Sequence, residues 1–456
     1  MYETDRSAKR HKVGSGAGGG TNPACRAPER LRKLPSAVAC LVFAHLSLRD
    51  NRRLACCAPF LQDVGCLLPA SPLDIELRDV DGRLDMDTAL MRIANTMRPH
   101  SLTLVRNFVP PCMDALTRIA TLRRLELSGT ELAELHRLSA LTALTDLTVR
   151  GTRVSGALES AVATCTTLVR LNLCLRMHVA DLAPLAALTR LESLTLERVA
   201  FSGADMWAPL RRLPRLAELG LVRNWHDPRQ TEPWPDLPAD VGARLTRITA
   251  RGNLLFEGTL AHVSKFAGLR SLDITGCDPG DSDFCAGMTQ LEQLALTFAW
   301  QRQPPSRGQF YLTNLRHLGR LHTLVLRNST PTHLDGFAWL TALTELDLAR
   351  WPNLNTLAGI VGSVPLRALS VSDCPALIDV RALAHATRLT RLSILDCRDL
   401  QKLRAVVASS AVLSAMPSIE KLKLDHPYKT PLLSARLLRL AFGSADVQMV
   451  QMLPPH

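Results

Sequence analysis

The twelve cysteines and thirteen histidines of this chain are its first candidates for chemistry. Cys397 stands out among them, set between Asp396 and Arg398-Asp399, because a thiol acts as a nucleophile wherever its thiolate reaches solvent. The other cysteines form no CxxC pair and no Cys/His cluster with zinc spacing, and Cys56-Cys57 reads as small core filling. The histidines make no HExxH, and the serines, histidines and aspartates lie scattered without a nucleophile elbow. Gly14, Gly16 and Gly19 match GxGxxG in letters only. No apolar strand run precedes them and no amphipathic helix follows, so the stretch reads as a flexible tail rather than a phosphate cradle. These spacings ask for no metal and no organic cofactor, and no catalytic residue is expected.

Recognition chemistry is better represented. Aromatic residues are only 4% of the chain, yet two short stretches gather them with arginine. One runs from Trp225 to Gly242 and holds Trp225, His226, Arg229 and Trp234 among several prolines; the other holds Trp300, Arg302, Arg307, Phe310 and Tyr311. Trp, Tyr and Arg are the side chains that carry most binding energy at protein interfaces. Both stretches are therefore candidate partner-binding sites, with folding back over exposed leucines as the competing role.

The elements that must position them are read from the leucines. LxxLxL recurs from Leu122, Leu144, Leu168, Leu191, Leu216, Leu245, Leu269, Leu291, Leu321, Leu343, Leu366 and Leu389, and from Ile419 with Ile as its first residue. Weaker copies surround Ile75-Leu77 and Leu102-Leu104. Alternation in the second half of each copy predicts a short strand with leucine inward and the intervening residue outward. A three-residue rhythm follows, as in Leu135, Leu138, Leu141 and Leu144, in Leu182, Leu185, Leu188 and Leu191, and in Leu334, Phe337, Leu340 and Leu343. That rhythm lines one face of a 3₁₀-like return. A single coil cannot bury its own leucines, so the coils must stack.

Eight residues after the start of a copy stand Asn224, Asn253, Cys277, Cys374 and Cys397, with Thr130, Thr152 and Ser329 as small polar substitutes; Arg176, Val199, Ala299, Trp351 and Pro427 depart from the pattern. Such side chains can satisfy backbone groups where the coil leaves the sheet. Period, pattern and this Asn/Cys place together resemble the leucine-rich-repeat superfamily. The resemblance implies an α/β solenoid: a curved parallel sheet inside, 3₁₀ or short helical segments on the convex side, and a protein-binding role. The outward strand positions would then form the concave face, among them Arg124, Glu126, Ser128, Asp146, Thr148, Arg150, Arg247, Thr249, Arg251, Glu345 and Asp347. Asp396-Cys397-Arg398-Asp399 resembles the CxD element of a bacterial class of leucine-rich-repeat ubiquitin ligases. Cys397 nevertheless falls on the Asn/Cys place, which predicts a buried structural thiol.

Three regions precede or include the array: a polar tail over 1–29, a compact apolar segment over 30–68, and repeats over 72–456, regular over 122–424 and capped beyond. In the apolar segment Val38, Leu41, Val42 and Leu46 fall at helical spacing, and Leu54, Cys57, Leu61 and Val64 follow on a second stripe. Leu34-Pro35, Val38, Val42-Phe43, Leu46, Asp50 and Leu54 resemble an F-box. That resemblance implies docking of Leu34, Pro35, Val38, Val42, Phe43 and Leu46 onto a Skp-type adaptor and its cullin complex, with the repeats presenting a protein substrate for ubiquitination. A helical cap over the first repeat is the alternative.

The formal charge of +12 comes from 54 Lys and Arg against 42 Asp and Glu, interspersed along most of the chain, which favours a protein ligand over nucleic acid. Lys9-Arg10-His11-Lys12 is a short basic run in the tail. No apolar h-region opens the chain and no run of about eighteen apolar residues could span a membrane, so a cytoplasmic or nuclear location is expected. The sequon Asn328-Ser329-Thr330 is accordingly expected to stay unmodified.

Overall fold

A computed structural model describes residues 74–78, 90–91, 93–95, 99–105, 112–132, 135–154, 162–175, 182–197, 204–222, 237–251, 263–277, 284–298, 312–360, 364–397, 421–426 and 446–451. Each LxxLxL copy within them forms one strand. The first eight are β1 (Asp74–Arg78), β2 (Ser101–Val105), β3 (Arg124–Leu132), β4 (Asp146–Val154), β5 (Arg170–Leu175), β6 (Ser193–Glu197), β7 (Glu218–Val222) and β8 (Arg247–Arg251). The rest are β9 (Ser271–Cys277), β10 (Gln293–Phe298), β11 (Thr323–Arg327), β12 (Glu345–Ala349), β13 (Ala368–Ser372), β14 (Arg391–Leu395), β15 (Lys421–His426) and β16 (Asp446–Gln451). They make one sheet of sixteen strands in sequence order, parallel at every pairing. Because each strand pairs only with its neighbours in sequence, every coil rests on the coil before it.

The register shows why leucine dominates. Leu272, Leu294, Leu324, Leu346, Leu369 and Leu392 stand opposite one another across six strands, and Ile274, Leu296, Leu326, Leu348, Val371 and Ile394 form a second column. All twelve are buried. Burying one such side chain stabilises the fold by about 1.5 to 3 kcal/mol, so removing a column residue opens a hole between two coils at once.

The three-residue rhythm forms the return. In Ala183–Ala187 and its flanks, Leu185 N–H donates to Leu182 O at 3.0 Å, Leu188 N–H to Leu185 O at 2.9 Å and Leu191 N–H to Leu188 O at 2.9 Å. Leu334, Phe337, Leu340 and Leu343 repeat the pattern around Asp335–Trp339, each bond 3.0 Å. Three residues per turn bring every third side chain to the same inward side. Stacked returns come so close that some positions have no room for a side chain. A Cβ on Gly336 would lie 2.5 Å from the Leu312 carbonyl carbon. Gly359 adopts φ 102°, and its Cβ would lie 2.4 Å from Leu334 O.

One expectation needs correction. Thr130 and Thr152 do not mark turns out of the sheet, because β3 continues to Leu132 and β4 to Val154. The two strands stay paired there, Gly129 opposite Gly151 and Leu132 opposite Val154, so neighbouring backbone takes up the hydrogen bonds that a turn side chain would have served. The segment expected to cap the array also contains a further strand, β16, whose Val447 and Met449 stand opposite Leu422 and Leu424. Its apolar residues alternate without a leucine, which is why the LxxLxL pattern missed it. The tail over 1–29 and the F-box-like segment over 30–68 lie outside the described residues.

Candidate functional site

The pleat sends every second strand residue to the outer side of the sheet, and in a sequential parallel sheet these residues form rows running across the coils. Register therefore brings together side chains twenty or more positions apart. Arg170 Nη1 lies 2.8 Å from Asp146 Oδ1, and that hydrogen bond, with the charge beside it, pushes the guanidinium pKa up. Arg251 reaches Asp273 Oδ2 through both Nε at 3.0 Å and Nη2 at 2.6 Å. Arg327 Nη2 lies 3.0 Å from Asp347 Oδ2, Arg247 Nη1 lies 3.6 Å from Glu218 Oε1, and Arg150 Nε lies 3.4 Å from Glu126 Oε1.

One pair skips a strand. Arg391 on β14 bonds Glu345 on β12 at 2.6 Å, across Ala368, which stands between them in register and is too short to intervene. Asn172 Nδ2 on β5 donates to Glu197 Oε1 on the adjacent β6 at 3.1 Å, a diagonal bond between neighbouring strands. These groups keep much of their solvent contact, so each pair adds at most about 1 kcal/mol to stability. Their larger consequence is a surface of fixed, alternating charge.

The floor between the charged rows is small. Ala295 and Val325 share a row with Asp273 and Asp347, and a Cβ on Gly220 would come within 2.7 Å of Thr195 Oγ1. This arrangement can bind a partner through complementary charges and hydrogen bonds over an extended strip.

The turns out of the sheet follow a rule that the sequence only half revealed. Gly276, Asn328, Arg350, Asp373 and Asp396 all have positive φ, between 54° and 83°, and all stand seven residues after the start of their copies. A left-handed residue there swings the chain out of the ladder. In four of these coils the next side chain packs inward: Ser329, Trp351, Cys374 and Cys397 are all buried. Cys374 Sγ donates to Ser372 O at 3.3 Å and Cys397 Sγ to Leu395 O at 3.4 Å. A hydrogen bond with Cys397 also lowers the Cys374 pKa. Cys397 is 1% exposed and is a packed thiol.

The candidate adaptor residues Leu34, Pro35, Val38, Val42, Phe43 and Leu46 lie outside the described residues. So do Trp225, His226, Arg229 and Trp234 of the first insert and Trp300, Arg302, Arg307 and Tyr311 of the second. The far end of the first insert is described: Leu237 and Val241 are buried, and Val241 N–H and Gly242 N–H donate to Pro238 O at 2.9 and 3.0 Å. The outward residues named from the pattern, Arg124 to Asp347, all fall on the strands as expected, but their pairing was not legible. Sequence reasoning also passed over Trp339, which is 48% exposed, although its place two residues after inward Phe337 was the available signal. Among the described residues no helix is long and apolar enough to cross a membrane.

No family model and no curated protein matches the chain. Solved structures similar to it include an internalin (InlF) of Listeria monocytogenes, 18% identical over 75% of this chain and 83% of that one with a TM-score of 0.42. A leucine-rich-repeat protein of Leptospira interrogans is 14% identical over 82% of this chain and 100% of that one, with a TM-score of 0.44. The functional domain of InlJ from Listeria monocytogenes, described as including a cysteine ladder, is 14% identical over 80% and 76% with a TM-score of 0.35. The chain's own sixteen-strand parallel ladder, with its LxxLxL strands and 3₁₀ returns, makes it a leucine-rich-repeat solenoid.

Proposed function

We propose that this chain is a protein-binding solenoid whose outer sheet surface holds a partner. The observation that carries the reading is the set of cross-coil pairs typified by Arg251 and Asp273, which fixes charges of both signs along one strip. Mixed signs suit a folded protein with its own alternating charges, whereas a phosphate backbone would meet repelling carboxylates. The two Trp- and Arg-rich inserts, with Trp234 and Trp300 as their leading anchors, extend this binding role.

The more specific proposal is substrate recruitment to a cullin-RING ubiquitin ligase, with Leu34 and Pro35 contacting a Skp-type adaptor. It rests on the F-box resemblance of residues 30–68. Affinity capture of the full chain followed by mass spectrometry tests both levels. Leu34→Ala with Pro35→Ala should remove adaptor and cullin while leaving the other partners. Arg247→Glu with Arg251→Glu should do the reverse. A wild-type chain that captures no adaptor leaves a scaffold without ligase attachment; one whose captured proteins are indifferent to Arg247 and Arg251 overturns the binding surface.

A further inference from the structure

The positive charge of the chain, +12 overall, finds little outlet on the outer sheet surface, where arginines meet carboxylates. Part of it lies on the flank where each return climbs toward the next strand. Arg320 and Arg388 occupy equivalent places there, two residues after the inward Leu318 and Ala386, and Arg316 lies one turn earlier. All three are exposed, and among the described residues none has a carboxylate partner: Arg316 Nε donates to His317 Nε2 at 3.0 Å and Arg320 Nη1 to Gln290 Oε1 at 2.6 Å. Two acids on these returns are taken up by other groups, Asp335 by His333 at 3.2 Å and Asp379 by Arg381 at 2.8 Å.

Trp339 lies in the middle of this flank. It occupies the place that His317 holds one coil earlier and His385 holds two coils later, each two residues beyond an inward side chain. Among the described residues the large hydrophobics that remain exposed are Trp339 at 48% and Ile378 at 44%. An indole left in water on the same flank as guanidinium groups without carboxylate partners is the composition of an interface hot spot.

We propose that this flank is a second docking surface, separate from the outer sheet surface, and that its occupant is an acidic stretch of polypeptide. Charge complementarity selects the acid: the arginines here have no carboxylate of their own to leave. The geometry favours a peptide. Arg320 and Arg388 belong to coils three strands apart, about 14 Å at the usual strand spacing, which an extended chain spans in about four residues with Trp339 between. Single-stranded nucleic acid would instead use a row of stacking aromatics, and here one indole stands alone between arginines.

Fluorescence anisotropy of the full chain with a labelled peptide of about twelve residues, glutamate throughout with one central leucine, tests the proposal. Arg320→Ala with Arg388→Ala, and separately Trp339→Ala, should each weaken binding by about tenfold or more, while Arg327→Ala on the outer sheet surface should stay within about twofold. Oligothymidylate of equal charge should bind more weakly than the peptide. Failure of the wild-type chain to bind the peptide, or affinities equal across the variants, overturns the proposal. Tighter binding of oligothymidylate, lost in the same variants, assigns the flank to nucleic acid and overturns it as well. If Trp339→Ala lowers the melting midpoint, Arg320→Glu with Arg388→Glu decides alone, because charge reversal at exposed positions leaves the core intact.

Discussion

The indole Nε1–H of Trp351 donates a 3.1 Å hydrogen bond to the carbonyl oxygen of Leu326, one coil back, with the whole side chain buried. A tryptophan thus stands where neighbouring coils have Ser329 and Cys374, and it adds a hydrogen bond to the preceding strand while filling a larger hole. Trp351→Ala should cost about 3 to 5 kcal/mol through the cavity and the lost bond, and Trp351→Phe about 1 to 3 kcal/mol, since much of the packing survives. Urea unfolding midpoints of the two variants check the order.

Leu272 is 1% exposed and stands in the six-strand leucine column, whereas the adjacent Asp273 points outward to Arg251. Leu272→Ala should cost about 2 to 5 kcal/mol, and Asp273→Ala less than about 1 kcal/mol because it breaks only an exposed pair. Equal midpoints for the two variants would show that the strand is turned over.

Gly359→Ala tests the close stacking of returns. The added methyl meets the Leu334 carbonyl at 2.4 Å in a backbone with φ 102°, so space and conformation both oppose it. The expected loss is about 1 to 3 kcal/mol, read from thermal melts against Gly319→Ala, where nothing lies within 4 Å.

Asp379 accepts the Arg381 backbone N–H at 3.0 Å and its guanidinium at 3.0 and 2.8 Å, and these bonds hold its pKa at about 2 instead of 3.8. The folded carboxyl therefore resists protonation more than the unfolded one. Its contribution is full above about pH 4 and drains away as the pH falls towards about 2, within the ~1 kcal/mol expected of an exposed pair. Asp379→Asn should flatten that part of the stability profile, measured by urea midpoints along an acid series.

Cys374 and Cys397, 0% and 1% exposed, should resist a thiol reagent in the native protein and react once it unfolds. Labelling followed by peptide mass spectrometry checks this. Rapid modification of Cys397 at neutral pH in the folded chain would reopen the nucleophile reading.

How much of this was legible in the sequence differs by residue. The inward set could be read directly, because Leu272, Leu294 and Leu324 announce themselves by a local pattern that means the same in every coil. The nine-residue strands β3 and β4 could not, since Gly129 and Thr130 look like a turn until Gly151 and Thr152 arrive beside them to continue the ladder. The outward charges were legible one at a time and illegible as pairs.

The sequence by itself determined the period, the inward leucines and the 3₁₀ return, because each depends on residues a few positions apart whose steric and hydrophobic preferences act locally. Only the tertiary structure decided which charges meet and which tryptophan is left in water. Arg391 finds Glu345 because Ala368 between them is short, and Trp351 is sealed under one coil while Trp339, twelve residues earlier, is half exposed. Those outcomes depend on the register between coils more than twenty residues apart, and stacking fixes that register only after the coils exist.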